Sequence, residues 1–186
     1  MKRHFLISAF AVVAILATAW SLVTPWAAGF FPIRPDHYDV GLFGVKHVSD
    51  MTTKSTQTKC TWNQRLDACA PAIGGEDNFV KLARAKWFIV AGLAFTTIGI
   101  AALRMRTAGV WTAAPFVIAA LAIGAGITLV RSNAGSALAA LAGARVDLTG
   151  SGMLAAEIAA GACFLAAVVA AIPASHSHSG VGAPKT

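Results

Sequence analysis

The chain has 186 residues, 56% of them hydrophobic and only 12% charged, with a formal net charge of +7. So apolar a composition excludes an ordinary soluble domain of this length and points to a membrane protein. The 15 Lys and Arg are scattered among polar segments with no basic stripe interleaved with aromatics, which excludes nucleic acid as a partner.

Four stretches are long enough to cross a hydrocarbon layer, which takes ~20 apolar residues as helix. They are residues 5–26, 86–103, 110–130 and 152–172. The first begins after Lys2-Arg3-His4 and is followed by the small residues Ala27-Ala28-Gly29, an arrangement shared with secretory signals. A signal core is only ~7–15 residues, however, whereas Phe5 to Val23 carries no charge at all. We therefore expect a retained first transmembrane helix.

Residues 27–85 form the long polar segment. Its alternating and β-branched runs, Tyr38 to Phe43 and Thr52 to Trp62, predict short antiparallel strands. Gly29, Pro32, Pro35, Pro71 and Gly74-Gly75 punctuate them, so a small meander is the economical expectation. Cys60 and Cys69 lie in the same segment. A disulfide there would persist only in an oxidising space and would restrain the unfolded loop by roughly 2–3 kcal/mol. Two free thiols or half of a metal site are the alternatives, although the spacing fits neither a Cys-x-x-Cys redox pair nor a zinc knuckle.

The expected disulfide places this loop outside the cytoplasm, with both termini cytoplasmic and the chain in the cell membrane. Charge leans only slightly the same way: ten Lys and Arg fall on the loop side, but most of them in the long loop where charge weighs little and among seven acids, whereas Lys2, Arg3, Arg104, Arg106 and Lys185 on the terminal side have no acid among them. Within the apolar stretches, Gly92 and Gly99, Gly124 and Gly126, and the series Gly152, Ala156, Ala160 offer faces on which helix backbones can approach closely.

Glu157 stands inside the fourth stretch, and intramembrane acids are functional candidates because burying them is costly. A polar contact between helices, with Arg131 or Arg145, is the favoured reading; uptake of a proton or cation is the alternative. Cys163 reads as a small packing residue. His176-Ser177-His178 supplies two imidazoles, too few for a metal site, in a polar tail over 173–186 that reads as disordered. No nucleophile, base and orienting group share a local signature, and no Gly-rich phosphate loop is present. Neither catalysis, cofactor nor metal is expected.

The order Trp26, Gly41-Leu42-Phe43, Cys60, Cys69 and Lys81-Leu82-Ala83-Arg84-Ala85 resembles the extracellular signature of the claudin and peripheral myelin protein superfamily. Phe43 stands where that pattern has tryptophan, and Arg84 falls at the arginine that opens the second helix. The resemblance implies an all-α transmembrane four-helix bundle carrying a small extracytoplasmic antiparallel β-sheet. It also implies that the triplet packs under the sheet, that Cys60 and Cys69 join two strands, and that Arg84 ties the loop to the bundle.

The implied function is non-catalytic: a barrier, adhesion or membrane-organising role through association with itself or another integral protein in the lipid bilayer. An accessory subunit of a respiratory, transport or secretion complex is the alternative, with a small carrier using Glu157 behind it. Residues 44–59 form a longer insertion before Cys60 than the family pattern has. Gly41 to Lys46 is also similar to the core of the amastin signature, but Asp39 and Ser49 stand at its cysteine positions. The C-terminal Ala183-Pro184-Lys185-Thr186 lacks the terminal apolar residue that a PDZ groove seats.

Overall fold

A computed structural model describes residues 2–30, 37–49, 56–61, 76–105, 110–139 and 145–172. Four helices in it, α1 (Lys2–Val23), α2 (Glu76–Met105), α3 (Val110–Ala139) and α4 (Ser151–Ala171), contain stretches long and apolar enough to cross a membrane. The chain is a multi-pass membrane protein by this measure. The helices run beyond the apolar stretches on the polar side: α2 already begins at Glu76, so residues 76–85 are helix rather than loop. α1, conversely, stops at Val23, because Pro25 has no N–H with which to continue the ladder. Trp26 is thereby released from the span into the layer above it.

Within the bundle α2 packs on α3, α3 on α4, α4 on α1 and α1 on α2. Each helix buries residues at alternating steps of three and four. On α1 they are Ile7, Ala11, Ala14, Thr18 and Ser21; on α2, Ala85, Ile89, Gly92, Thr96, Gly99 and Leu103. On α3 the run is Phe116, Ala119, Ile123, Gly126 and Val130; on α4, Gly152, Ala156, Ala159, Cys163, Ala166 and Ala170. A seam that repeats every seven residues is the pattern of a left-handed bundle with knobs-into-holes packing.

The glycines are the holes. A Cβ on Gly99 would lie 2.7 Å from the Phe116 ring, and one on Gly126 would lie 2.9 Å from Ile89 Cδ1. Ile123 fills the space over Gly92 in the same way. Lipid tails give no hydrophobic drive for helices to meet, so this dispersion contact between close backbones is what joins α2 to α3. The buried hydroxyls cost little because their own helices satisfy them: Thr18 donates to the Ala14 carbonyl at 2.6 Å, Ser21 to Thr18 at 2.8 Å and Thr96 to Gly92 at 2.8 Å.

Above one end of the bundle lies a five-stranded antiparallel sheet in the order β4-β3-β2-β1-β5. Its strands are β1 (Ala27–Phe30), β2 (His37–Gly41), β3 (Gly44–Ser49), β4 (Thr56–Thr61) and β5 (Arg145–Asp147). β5 comes from the connection between α3 and α4 and pairs with β1, Gly29 opposite Val146. Both loops therefore lie at the same end. The first expected strand is shorter than the sequence suggests, because Leu42 and Phe43 form the turn between β2 and β3 and Gly41 faces Gly44 across it.

At the other end, Arg3 donates from Nε to the Val169 carbonyl at 3.0 Å and from Nη2 to the Ala170 carbonyl at 2.6 Å. These are carbonyls of the last turn of α4 with no intrahelical partner, and a guanidinium there also suits the negative end of the helix dipole. The start of α1 and the end of α4 are thus tied together, opposite the sheet.

Gly92→Leu and Gly99→Leu are expected to destabilise the protein in detergent by about 1–3 kcal/mol through overpacking, read as a lower midpoint in SDS-induced unfolding. Gly124→Leu, at a position with no heavy atom within 4 Å of its would-be Cβ, is expected to leave that midpoint unchanged.

Candidate functional site

Two constellations stand out, one at the joint between bundle and sheet, the other between α3 and α4. The first is centred on Trp26, which is 1% exposed. Its backbone N–H donates to the Val40 carbonyl of β2 at 2.7 Å, and its indole N–H donates to the Ser21 carbonyl in the last turn of α1, also at 2.7 Å. A buried tryptophan needs a partner for its N–H, and Ser21 supplies one that the helix end leaves free.

The floor of this site is the start of α4. Gly152 N–H donates to the Pro25 carbonyl at 2.9 Å. A Cβ on Gly152 would sit 2.5 Å from Trp26 Cδ1, and one on Gly150 would sit 2.5 Å from the Pro25 carbonyl oxygen. Only glycine at both positions lets the chain that enters α4 lie flat against the tryptophan and the backbone before it. Met153 and Ala156 of α4, Ala85 of α2, Val40 and Leu42 complete one apolar cluster with Trp26. Helices α1, α2 and α4 therefore meet the sheet at one point.

Within the Gly41-Leu42-Phe43 triplet the roles differ. Leu42 is buried in the Trp26 cluster, while Phe43 is exposed at the turn. A Cβ on Gly41 would make ordinary contacts, 3.7 Å from the Gly44 carbonyl oxygen and 3.9 Å from that of Thr24, so the leucine and not the glycine makes the motif's packing contact. Cys60 lies in β4 opposite Val45. The whole segment between β4 and α2, with Cys69 in it, and the tail over 173–186 lie outside the described residues, and the expected Cys60–Cys69 pairing with them. Arg84 is exposed on α2, beside buried Ala85, with no ion-pair or hydrogen-bond partner among the described residues.

The second constellation joins α3 to α4. The Arg131 guanidinium donates to Glu157 Oε1 and forms an ion pair with it, their side chains 57% and 39% exposed. Both residues lie within the candidate spans, near the sheet end of the bundle. Of the two arginines that the sequence offers Glu157, Arg131 is the one it meets. Deeper down, Thr96 Oγ1 and Cys163 Sγ are 3.3 Å apart, a polar contact between α2 and α4. At the rim Lys86 Nζ lies 5.4 Å from the centroid of Trp87, and exposed Trp20 flanks the same end of the bundle. Such aromatic and basic residues suit the level of lipid headgroups.

Among the described residues no group of three His, Cys, Asp or Glu side chains converges as a metal site would require. No protein-family model matches the chain, and no curated protein matches it either.

Gly150, Gly152 and Met153 are the site residues whose role the sequence did not disclose. Gly152 was visible as part of a small-residue face, but its partner is an indole more than a hundred residues earlier, which periodicity along one helix does not reveal. Trp26→Ala is expected to cost about 3–5 kcal/mol and to speed proteolytic cleavage within residues 27–83, with Gly152→Val acting in the same direction. Arg84→Ala, exposed and unpartnered among the described residues, is expected to change cleavage far less; limited proteolysis of the detergent-solubilised protein, timed by gel, measures all three.

Proposed function

We propose that this chain is a claudin-like four-pass membrane protein that acts through association, laterally or between apposed membranes, in a barrier, adhesion or membrane-organising role and without catalysis. The observation that carries the reading is the joint at Trp26, where residues of the family-like signature hold a sheet drawn from two loops against the end of a small-residue bundle. Such a layer has one face committed to the bundle. In this reading the opposite face and the strand edges make the contact, since a sheet edge is otherwise a liability.

The distribution of polar groups supports the same reading. The buried polar side chains among the described residues are Thr18, Ser21, Thr96 and Thr112, none of them charged. A carrier keeps its ionisable groups on an interior path near the bilayer midplane. Here Glu157 is peripheral and paired with Arg131, which favours a structural role for the carboxylate over proton or cation uptake.

In this reading the sheet is extracytoplasmic, both termini are cytoplasmic, Cys60 and Cys69 are bonded to each other, and the membrane is the cell membrane. Membrane-impermeant thiol reagents added from outside are expected to label Cys60 and Cys69 only after reduction; labelling from the cytoplasmic face overturns the orientation. The function is tested by extracting the tail-tagged chain from its native membrane in mild detergent. Recovery with further copies of itself is the expected result, and stoichiometric recovery within a larger unrelated complex makes it an accessory subunit instead.

A further inference from the structure

The helical glycines divide sharply into two kinds. Gly92, Gly99, Gly126 and Gly152 each face a side chain of a neighbouring element, whereas Gly124 on α3 and Gly161 on α4 have no heavy atom within 4 Å of the position their Cβ would take. Gly124 and Arg131 are seven apart on α3, and Glu157 and Gly161 are four apart on α4, so each pair shares one face of its helix. The Arg131–Glu157 pair bridges these two faces. Together they form a shallow outward surface along the α3–α4 junction, with the ion pair toward the sheet end and the open glycines below it.

Glu157 lies about 9 Å below the start of α4, six residues on at ~1.5 Å per residue. At that depth both charges are only partly covered by protein. Among the described residues Arg131 meets only Glu157 Oε1, so further donors of its fork and Glu157 Oε2 are left for another partner. Lipid tails offer such groups nothing. An anionic headgroup that approached the arginine would meet the carboxylate beside it, so the partner that fits carries both signs at the same depth and spacing.

We propose that this partner is a second copy of the chain, related by a twofold axis along the membrane normal. The operation sets α3 of one copy beside α4 of the other, so that Arg131 of each faces Glu157 of its partner and the charges alternate in a ring. A twofold interface satisfies both contacts at once because it is self-complementary. Gly124 and Gly161 then let the two copies approach as closely as α2 and α3 do within one copy. The inference rests on the association reading above and names the lateral surface that reading requires.

The test uses full-length chains carrying two different tags, co-expressed and extracted in mild detergent, with recovery of one tag through the other as readout. Arg131→Glu chains paired with themselves, and Glu157→Arg chains paired with themselves, are expected to lose about tenfold in recovery, equivalent to ~1.4 kcal/mol. Arg131→Glu chains mixed with Glu157→Arg chains are expected to regain it, although neither variant has an attractive pair within its own chain. Failure of the mixture to regain recovery overturns the contact between copies.

Gly161→Leu keeps the proposal testable if charge reversal prevents folding, because its side chain enters open space in one copy and the contact between two. Its recovery is expected to fall with an unchanged unfolding midpoint; full recovery overturns the proposed surface. If the charge-reversed chains associate with themselves as the natural chain does, the surface is wrong and the association reading stands. If the natural chain does not associate with itself, both fall.

Discussion

The indole of Trp26 is the point on which the two layers depend. Its two N–H groups face different elements, one to the end of α1 and one to β2, and its ring lies against the glycine that opens α4. A small five-stranded sheet needs an apolar surface to cover one face, and the bundle end supplies it through the cluster around Trp26 and Leu42. Because β1 begins at the residue after Trp26 and pairs with both β2 and β5, fixing the tryptophan also fixes the strand at which the two loops meet.

Below that joint the bundle is held by contacts of another kind. Its seams are rich in glycine, alanine and hydroxyl side chains, so the helices approach closely and their few large residues seat against small ones. The bulky exceptions are informative. Phe116, Ile123 and Ile89 each lie over a glycine of the facing helix, and the small residue on one side defines where the large one on the other can sit. Register between α2 and α3 is thereby specified at three levels along the span. Arg3 adds a tether at the far end, where α1 and α4 have no sheet to align them.

The helices were legible in the sequence because an apolar run of spanning length admits few other readings, and the close-packing faces could be seen as far as Gly92, Gly99, Gly126 and Gly152 mark them. The helix ends were not, since the amphipathic residues 76–85 continue α2 beyond its apolar run. β1 and β5 escaped notice for a physical reason: each is a short segment without alternation, and each is a strand only by virtue of a partner from a different loop. Leu42-Phe43 lacks the usual turn residues, so its hairpin turn read as a continuation of strand. Glu157 could be seen to need a cation, and sequence offered two; only the crossing of α3 and α4 selects Arg131.

That selection bears on what the molecule can do. Among the described residues the buried polar groups of the bundle are hydroxyls and a thiol, and the charged pair lies on the perimeter. Within the spans each charge would be costly on its own, so the two side chains are held to one another across α3 and α4. Apolar residues at the same positions would serve packing as well and would suit lipid better. What a charged pair adds is directionality at a surface, a requirement that any neighbour present opposite signs at a given depth. The interior of this protein thus accounts for its fold, and the charge that could distinguish one neighbour from another lies on the α3–α4 face.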